Sequence, residues 1–537
     1  MNKGLKSILS LTLALALVAT VSACTGSNKQ TDVTTKATEA STTTAGTTAA
    51  PEPEKLKILT YGQVDFEYNE KLPTLTEIEN RTKIDIEWQN LPVGAEEQKL
   101  DLIFAGGDLP DMVIWSDLNK IAKLGSEGAL IPLEDLVASD GPNITKVFSK
   151  MENEIQFFKQ KIYALDGHLY NIPTFTPAGD NAAMTWAIRE DWCKNVGLNV
   201  PTTTDELYTV LKAFREKDPN KNGTVDELPL VCRNADYYLL FLANSFGVEA
   251  GLFWDDKAQQ VQYGCLDPRF KDALAYISKL YKEGLIDPEY ITNTDDQFKA
   301  KINDNRAGMF LGYANSMIGA SHDALKKTDA SFNLVSMLPV AGPNGDRFKQ
   351  DAYTRIQGRA SITKDCKNPK TAMKLLDYCF SDEGHELLTY GIEGKTFVKV
   401  GDKYQILDYV SRNPEGLEPM QVVNSFGIDP SLPHEYDSNA YHSLSAPFVA
   451  TIFENYASVP GILHESLSVN FTTEENDEMT KYDDLWKYTG PAISKFITGK
   501  EDVTASWDKF EEQVKKLGGE EVRAIYDKAY KRQFNMN

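Results

Sequence analysis

The amino-acid sequence predicts an α/β protein, in which neighbouring β-strands are covered by helices. Two observations lead to this prediction. From Leu56 onward, short apolar segments alternate with amphipathic segments of helical period, which is the pattern of βα units. The chain has 537 residues, and this length allows two lobes with substantial hydrophobic cores after the polar N-terminal part.

The N-terminal 54 residues are predicted to lie outside the fold. Residues 1–23 combine two lysines with an apolar run too short to span a membrane, which is typical of a secretory signal peptide. The run ends in Val-Ser-Ala before Cys24 and resembles a bacterial lipobox, so we expect Cys24 to be lipidated. An ordinary signal peptide cut after Ala23 is the alternative. Residues 24–54 are rich in Thr, Ala and Ser and predict a flexible tether.

Composition argues against several classes of protein. The formal net charge of −22 disfavours a nucleic-acid partner, which would require a basic patch. The cysteines after Cys24 are scattered and contain no C-x-x-C, so neither a disulfide framework nor a zinc site is predicted. The motifs H-E-x-x-H, G-x-S-x-G and G-x-G-x-x-G do not occur, and no carboxylate pair stands out. We therefore expect no catalytic residues and no enzymatic activity.

In chain order, the first predicted βα units run from Leu56 to Asn119. The segments LKILTYG, KIDIEWQN and DMVIW predict strands, and LPTLTEIENRT and EEQKLDLIFAGG predict helices between them. Ligands of open parallel sheets bind beyond the carboxyl ends of the strands. The sequence therefore predicts that the loops 61–66 and 115–119 face a binding cleft.

Residues 184–216 predict a strand followed by an amphipathic helix. One apolar face of this helix follows the i, i+3, i+4, i+7 spacing and consists of Leu207, Val210, Leu211 and Phe214. We expect Thr204 to cap the helix, because it lies just before the acidic first turn.

An acidic loop with metal-ligand spacing follows this helix. Short oxygen-bearing side chains occupy its positions 1, 3 and 5, and Gly223 occupies position 6, as at the beginning of an EF-hand-type calcium loop. Position 12 is Pro229 instead of the bidentate Glu of that motif, and an acidic turn without an ion is the alternative interpretation. The candidate calcium ligands are Asp218, Asn220, Asn222, the Thr224 carbonyl, Asp226 and Glu227.

Several segments resemble a known family. REDWCKNVGL-x-x-PTTTDELY followed by DPNKNGTVDELP is similar to extracellular solute-binding proteins of ABC importers, family 1, and within it to the LipO-like lipoprotein branch that includes alginate-oligosaccharide-binding proteins. AGGDLPDMVIWSD, LYKEGLIDPEY and INDNRAGMFLGY match further landmarks, so the resemblance covers nearly all of residues 55–400. In the alginate-binding relatives the matching loop holds calcium, which implies a structural Ca²⁺ on the six candidate ligands.

The resemblance also implies a periplasmic-binding-protein-like fold with two α/β lobes and a ligand cleft between them. We expect lobe 1 to comprise residues 55–178 and 343–395, and lobe 2 to comprise residues 179–342 and 396–537. The implied function is capture of an oligosaccharide and its delivery to ABC permease subunits, by a monomer that is lipid-anchored at Cys24 on the extracellular face of a bacterial membrane. Capture of a peptide or another solute, and a surface glycosidase or adhesin, are the alternatives.

A sugar site needs aromatic rings that stack on C–H faces beside polar groups that hydrogen-bond hydroxyls. The candidate residues lie at strand ends, at the predicted hinge and in a polar return segment. They are Tyr61, Trp115, Asp117, Phe175, Trp186, Tyr313, Tyr353 and Arg355. Because the chain is strongly acidic, we expect a neutral glycan and not an anionic one.

Overall fold

In the computed structural model, two mixed β-sheets flanked by helices organise the described part of the chain. The structure describes residues 54–61, 66–176, 184–233, 236–351, 355–401, 403–411, 413–415, 417, 419–428, 431–437, 440, 447–459, 463–465 and 467–536. The predicted signal peptide, Cys24, most of the predicted tether and Tyr353 lie outside these ranges. The chain divides into the units Met1–Glu52 and Pro53–Asn537, and both sheets belong to the second unit.

The strands carry the following bounds. They are β1 (Glu54–Thr60), β2 (Ile84–Asn90), β3 (Met112–Ile114), β4 (Ile172–Phe175), β5 (Met184–Arg189), β6 (Leu228–Val231), β7 (Leu252–Asp255), β8 (Gln260–Tyr263), β9 (Ala307–Tyr313), β10 (Leu334–Met337), β11 (Lys349–Asp351), β12 (Ile356–Ile362), β13 (Phe397–Val400), β14 (Lys403–Ile406) and β15 (Leu463–Glu465).

The α-helices separate these strands and dominate the C-terminal part. They are α1 (Pro73–Thr82), α2 (Glu96–Gly106), α3 (Leu118–Ser126), α4 (Glu134–Asp140), α5 (Pro142–Glu154), α6 (Phe158–Ile162), α7 (Glu190–Asn195), α8 (Thr204–Glu216), α9 (Asp236–Leu239), α10 (Pro268–Lys282), α11 (Asp295–Asn303), α12 (Ala320–Thr328), α13 (Pro369–Cys379), α14 (Asp382–Tyr390), α15 (Asp408–Ser411), α16 (Pro419–Phe426), α17 (Pro447–Ala457), α18 (Thr473–Met479), α19 (Asp483–Ile497), α20 (Val503–Lys516) and α21 (Gly519–Gln533). Within the described residues, no helix combines the length and the apolar character needed to cross a bilayer.

The two sheets draw on different stretches of the chain. The first has the strand order β2-β1-β3-β12-β4, with β1 parallel to β2 and β3 and with β12 antiparallel to β3 and β4. The second has the order β10-β5-β9-β6, with β6 parallel to β9 and with β5 antiparallel to both β9 and β10. This arrangement of strands and covering helices confirms the predicted α/β class.

Each sheet has its own hydrophobic core. In the first, Ile58 of β1 and Leu375 of α13 belong to one buried cluster. In the second, Ile188 of β5 is buried with Phe496 of α19 and Trp507 of α20. The C-terminal helices therefore add their apolar faces mainly to the second core.

Part of the chain beyond residue 396 returns to the first sheet. The Phe175 amide donates a hydrogen bond to the His434 carbonyl at 3.0 Å, and the Ser431 hydroxyl donates to the Tyr68 hydroxyl oxygen at 3.0 Å. Leu432 is buried in the first core. These contacts place part of the segment assigned to lobe 2 against the first sheet, and the lobe boundaries as a whole stay a prediction.

The cap of α8 differs from the expected one by a single residue. Thr203, with extended backbone angles, precedes the helix, and its hydroxyl accepts a hydrogen bond from the Glu206 amide at 3.2 Å. The Glu206 carboxylate in turn accepts from the amide and the hydroxyl of Thr202. Three consecutive threonines can all cap a helix, and this carboxylate contact fixes the helix start so that Thr204 is its first residue.

Candidate functional site

The carboxyl ends of β1 and β3 bring two predicted aromatic residues together. Because these strands are parallel neighbours, Tyr61 and Trp115 follow them at the same edge of the first sheet. Their rings stack with centroids 5.1 Å apart and an interplanar angle of 26°. The rule that ligands bind beyond the carboxyl ends of parallel strands thus selects, from the sequence, two residues that are in contact in the fold.

This aromatic pair is largely buried. Trp115 is 8% exposed and belongs to a core cluster, and burial raises the pKa of the Tyr61 hydroxyl. The indole Nε1 of Trp115 has no hydrogen-bond partner among the described atoms. The pair therefore forms a rigid apolar base at the sheet edge, with a donor that is not used within the described structure.

Asp117 is exposed and begins the next helix. Its Oδ1 accepts hydrogen bonds from the amides of Asn119 at 2.9 Å and Lys120 at 3.3 Å, so it is the N-cap of α3. Asp117 and Lys120 also line an open cavity of about 980 Å³ together with residues 470–474. The carboxylate thus has a structural role, and it faces a large polar opening.

Arg355 lies at the same edge, just before β12. Its guanidinium donates to the Thr176 carbonyl at 3.1 Å, to the Glu154 carbonyl at 3.0 Å and to the Glu154 carboxylate at 3.3 Å. These bonds tie the start of β12 to the end of β4 and to α5. Arg355 also lines a cavity of about 390 Å³.

Arg359 is a residue at this edge that sequence reasoning missed. β12 contains an irregularity between Gln357 and Ala360, and the half-buried Arg359 lies within it. Its carbonyl accepts from the Trp115 amide at 2.7 Å, and its guanidinium donates to the Gln357 side chain at 3.1 Å. The segment TRIQGR contains Arg355 and Arg359. The irregularity in β12 shows that both lie near the predicted loops, and the sequence pattern does not reveal it.

The second sheet presents Tyr313 at its corresponding edge. This residue ends β9, pairs with Met184 of β5 and is half-buried against two clusters of the second lobe. The neighbouring Tyr237 is 54% exposed, and its ring meets Phe241 edge-on at 5.5 Å. Partial burial raises the pKa of the Tyr237 hydroxyl, and the nearby Tyr313 adds to this effect.

Tyr237 is therefore an exposed aromatic ring beside a predicted one. Sequence reasoning missed it because the segment DYYLLF reads as an ordinary apolar run. The position of Tyr237 shortly after β6 could have indicated that it lies near the cleft. β6 runs parallel to β9, so both strands end at the same edge of the sheet.

Two other predicted rings are core residues in this structure. Phe175 is fully buried and contacts the rings of Phe148, Phe158 and Phe380. Trp186, in the middle of β5, is 4% exposed within the second core. Their part in ligand binding stays a prediction, as does that of Tyr353, which lies outside the described residues.

The acidic loop folds around its own side-chain oxygens. Asp218 accepts hydrogen bonds from the amides of Asn222 at 3.1 Å and Gly223 at 2.8 Å, and Asn222 accepts from the Thr224 amide at 2.7 Å. Gly223 has a φ of 87°, which an L residue rarely adopts, so the glycine at position 6 is required for the turn. The predicted spacing therefore produces a tight loop lined by oxygen atoms.

Glu227 is the residue that best tests whether this loop suits a cation. It is 2% exposed, and both carboxylate oxygens are buried without a hydrogen-bond partner among the described atoms. Burial raises its pKa, and the nearby Asp218 and Asp226 add to this effect. A buried, unpaired carboxylate is costly, and a bound cation would compensate it.

The carboxylates of the acidic loop are not enough by themselves to hold a metal ion. Over the described part of the chain, no group of three or more His, Cys, Asp or Glu side chains is arranged to hold a metal ion. Asp226 is also paired with Arg306, whose Nε lies 3.2 Å from its Oδ2. A cation in this loop would therefore depend on amide and main-chain oxygens as well as on carboxylates.

Comparison with known proteins identifies the family. Residues 71–386, more than half of the chain, match the bacterial extracellular solute-binding protein family. The chain belongs to this family. Its members and the relatives below are binding proteins, so this solute-binding protein is not an enzyme.

Two sequence relatives have named ligands. The fructooligosaccharide ABC transporter substrate-binding protein FusA of Streptococcus pneumoniae is 30% identical over 328 residues, which cover 58% of this chain and 57% of FusA. The polygalacturonan/rhamnogalacturonan-binding protein YtcQ of Bacillus subtilis is 26% identical over 471 residues, covering 84% of this chain and 86% of YtcQ. The chain thus matches little more than half the length of FusA but most of YtcQ.

Solved structures confirm the two-lobed fold. The alginate-binding protein AlgQ2, solved without calcium ion, superposes with a TM-score of 0.75 at 27% identity, covering 90% of this solute-binding protein and 98% of AlgQ2. FusA has been solved as an EF-hand mutant in complex with fructo-nystose, with a TM-score of 0.72 at 22% identity, covering 89% of this chain and 99% of that one. The predicted resemblance to the branch with alginate-binding proteins is confirmed.

His434, packed at the end of β4, predicts a pH-dependent stability. Burial lowers its pKa to about 4, so between that value and the unfolded value of about 6.5 only the unfolded chain binds the proton. Stability should therefore fall as the pH decreases through this window, by up to about 1.4 kcal/mol per pH unit from this group. His434→Gln should flatten the fall in unfolding free energy measured in urea between pH 6.5 and pH 4.5. An unchanged slope would contradict the assignment.

Proposed function

We propose that this solute-binding protein captures an oligosaccharide between its two lobes and presents it to the permease subunits of an ABC importer. The observation that carries the proposal is the presence of aromatic residues at the carboxyl edges of both sheets, with the exposed ring of Tyr237 at one of them. Tyr61 and Trp115 lie at one edge, and Tyr313 and Tyr237 lie at the other. Ligands of α/β sheets bind at such edges, and aromatic rings suit the C–H faces of sugars.

The relatives support a carbohydrate ligand. FusA, YtcQ and AlgQ2 are named for binding fructooligosaccharide, polygalacturonan or rhamnogalacturonan, and alginate. All three ligands are oligo- or polysaccharides, although they differ in charge. What the three relatives share is therefore a carbohydrate ligand. A peptide or another solute is the weaker alternative for this protein.

The charges at the sheet edges favour a neutral sugar. Arg355 is paired with Glu154, Arg233 with Asp295, and Lys120 with both Glu97 and Asp101. These three cations are paired with carboxylates of the chain, whose formal net charge is −22. Arg359, at the edge of the first sheet, is bonded to the Gln357 side chain. An anionic oligosaccharide would have to displace those carboxylates, whereas a neutral one would not.

Transport follows from differential affinity of the ligand for two forms of the protein. A sugar that touches both lobes binds the closed form more tightly than an open form, and so shifts the population toward closure. The closed form docks on the permease subunits, and ATP is hydrolysed by other chains of the importer. The protein itself contributes binding and positioning.

The proposal predicts ligand-dependent thermal stabilisation. A panel of fructo-, manno-, xylo-, galacturono- and alginate oligosaccharides, with a set of mixed peptides, should yield at least one sugar that raises the melting temperature. Binding to the folded state alone stabilises it by about 2.7 kcal/mol when the ligand is at 100 times its Kd. Stabilisation by peptides only would overturn the sugar assignment.

Tyr237→Ala tests the cleft directly. Loss of one stacking ring should weaken the binding of the stabilising sugar by about 3- to 10-fold, since such contacts are worth roughly 0.5–1.5 kcal/mol. The melting temperature of the unliganded protein should change little, because the ring is 54% exposed. Tyr409→Ala, which removes a ring that is 42% exposed on α15, is the matched control and should keep full affinity in calorimetry.

We further propose that the acidic loop holds a structural Ca²⁺. Its donors would be the side chains of Asp218, Asn220, Asn222, Asp226 and Glu227 with the Thr224 carbonyl. The ion would neutralise the buried Glu227 carboxylate and brace the loop, and it would supply no chemistry to the ligand. The name of the FusA variant, an EF-hand mutant, supports such a loop in a relative.

Calorimetry on EDTA-treated protein tests the calcium proposal. Ca²⁺ should bind with measurable heat and raise the melting temperature, and Glu227→Gln should lose most of both effects. Glu216→Gln, at an exposed carboxylate on the preceding helix, should behave as the parent protein. Equal heats for the two variants would show that Glu227 is not a ligand.

We also propose that a lipid on Cys24 anchors the protein to the extracellular face of the membrane. The small residues before Cys24 and the Thr/Ala/Ser-rich segment after it support an anchored domain on a tether. Cells that express the full chain should incorporate a palmitate analogue into it, and Cys24→Ser should abolish this label and release the protein into the medium. Retention of the label in Cys24→Ser would refute the anchor.

A further inference from the structure

We propose that the 390 Å³ cavity beside the cleft is a second sugar subsite, which binds the far end of an oligosaccharide held between the lobes. This inference rests on the proposed function and adds where a longer ligand would go. The cavity volume of about 390 Å³ lies within the range of about 300–1,000 Å³ that is typical of small-molecule sites.

The cavity begins where the cleft edge of the first sheet ends. Leu118, which lines it, directly follows Asp117, and Arg355 and Ile356 line it at the start of β12. Its opposite wall comes from the β7–β8 hairpin and from α21, whose Val522 belongs to the second core. The cavity is therefore lined on one side by residues at the cleft edge of the first sheet and on the other side by elements that pack on the second core.

The opposite wall contains three aromatic side chains, two of which are stacked on each other. Trp254 and Tyr530 lie 4.5 Å apart at an interplanar angle of 20°, and Tyr530 contacts Phe534 at 4.6 Å. The Trp254 Nε1 donates to Asp256 at 3.0 Å, which fixes the orientation of the indole. The half-buried rings of Trp254 and Tyr530 suit the C–H faces of sugar residues, whereas Phe534 is buried.

Phe157 supplies an independent observation from the other lobe. It has φ 58° and ψ 33°, a left-handed conformation that is rare for a bulky residue. In this conformation its ring lines the cavity and contacts Phe534 at 5.1 Å. Backbone strain of this kind concentrates at binding sites, where the surrounding structure enforces it.

Polar groups at the rim suit the hydroxyls of a sugar. Gln156, Gln259 and Asp256 are exposed and line the cavity, where they can donate to or accept from hydroxyls. Of the two cationic side chains that line the cavity, Arg355 is bonded to Glu154, and the second is Lys161. The cavity therefore offers hydroxyl recognition beside apolar faces.

Calorimetry tests the subsite. For each sugar class in the panel, it uses a series of oligosaccharides of increasing length, from disaccharide to hexasaccharide. For the parent protein, affinity should rise with length once the ligand reaches the cavity. Trp254→Ala should lower affinity for the longest member by about 3- to 10-fold and leave the shortest member unchanged. Ser468→Trp, which adds a ring at an exposed position of the rim, should have the same effect without removing a packed residue.

Trp486→Ala, at a tryptophan that is 41% exposed on α19, is the matched control and should bind every length as the parent does. If Trp254→Ala and Ser468→Trp bind all lengths normally while Tyr237→Ala binds weakly, the cavity is only a gap between the lobes and the inference is wrong. If no oligosaccharide series binds the parent protein, the proposed function fails, and the subsite fails with it.

Discussion

The insertion of β12 between β3 and β4 is the constraint on which the rest of the structure depends. It brings a strand from beyond the second lobe back into the first sheet, through pairs such as Ala360 with Ile114. The fit is tight, because a Cβ on Gly358 would lie 2.8 Å from the carbonyl oxygens of Trp115 and Ser116. A side chain there would push the Trp115 loop away from the sheet, so glycine is needed for this close approach.

This return strand assembles the cleft edge of the first lobe. The same edge holds the stacked rings of Tyr61 and Trp115, the Arg355 guanidinium and the irregular turn of Arg359. These residues are distant in sequence, yet the strand register fixes them within one small area. The Arg355 guanidinium is bonded to the Glu154 carboxylate and to two main-chain carbonyls, so the edge combines apolar faces with a polar network.

The acidic loop braces the second lobe in a comparable way. Asn220 donates to the Asn305 carbonyl at 3.0 Å, and Arg306 donates to the Asp226 carbonyl at 3.2 Å, so the loop is bonded to the residues that precede β9. Glu227 leads directly into β6. The loop therefore holds the first residues of two paired strands whose other ends lie at the cleft edge, and Tyr313 is at one of these ends.

The sequence by itself determined the α/β class, the strand ends that carry Tyr61 and Trp115, and the turn built by Asp218, Asn222 and Gly223, because periodicity and turn chemistry act between near neighbours in the chain. Only the tertiary structure decided that Phe175 is in the core, that Tyr237 is exposed and that Trp254 stacks on Tyr530. Whether an aromatic ring lies in a core or at a surface depends on which distant segment packs against it, and composition and spacing do not encode that contact.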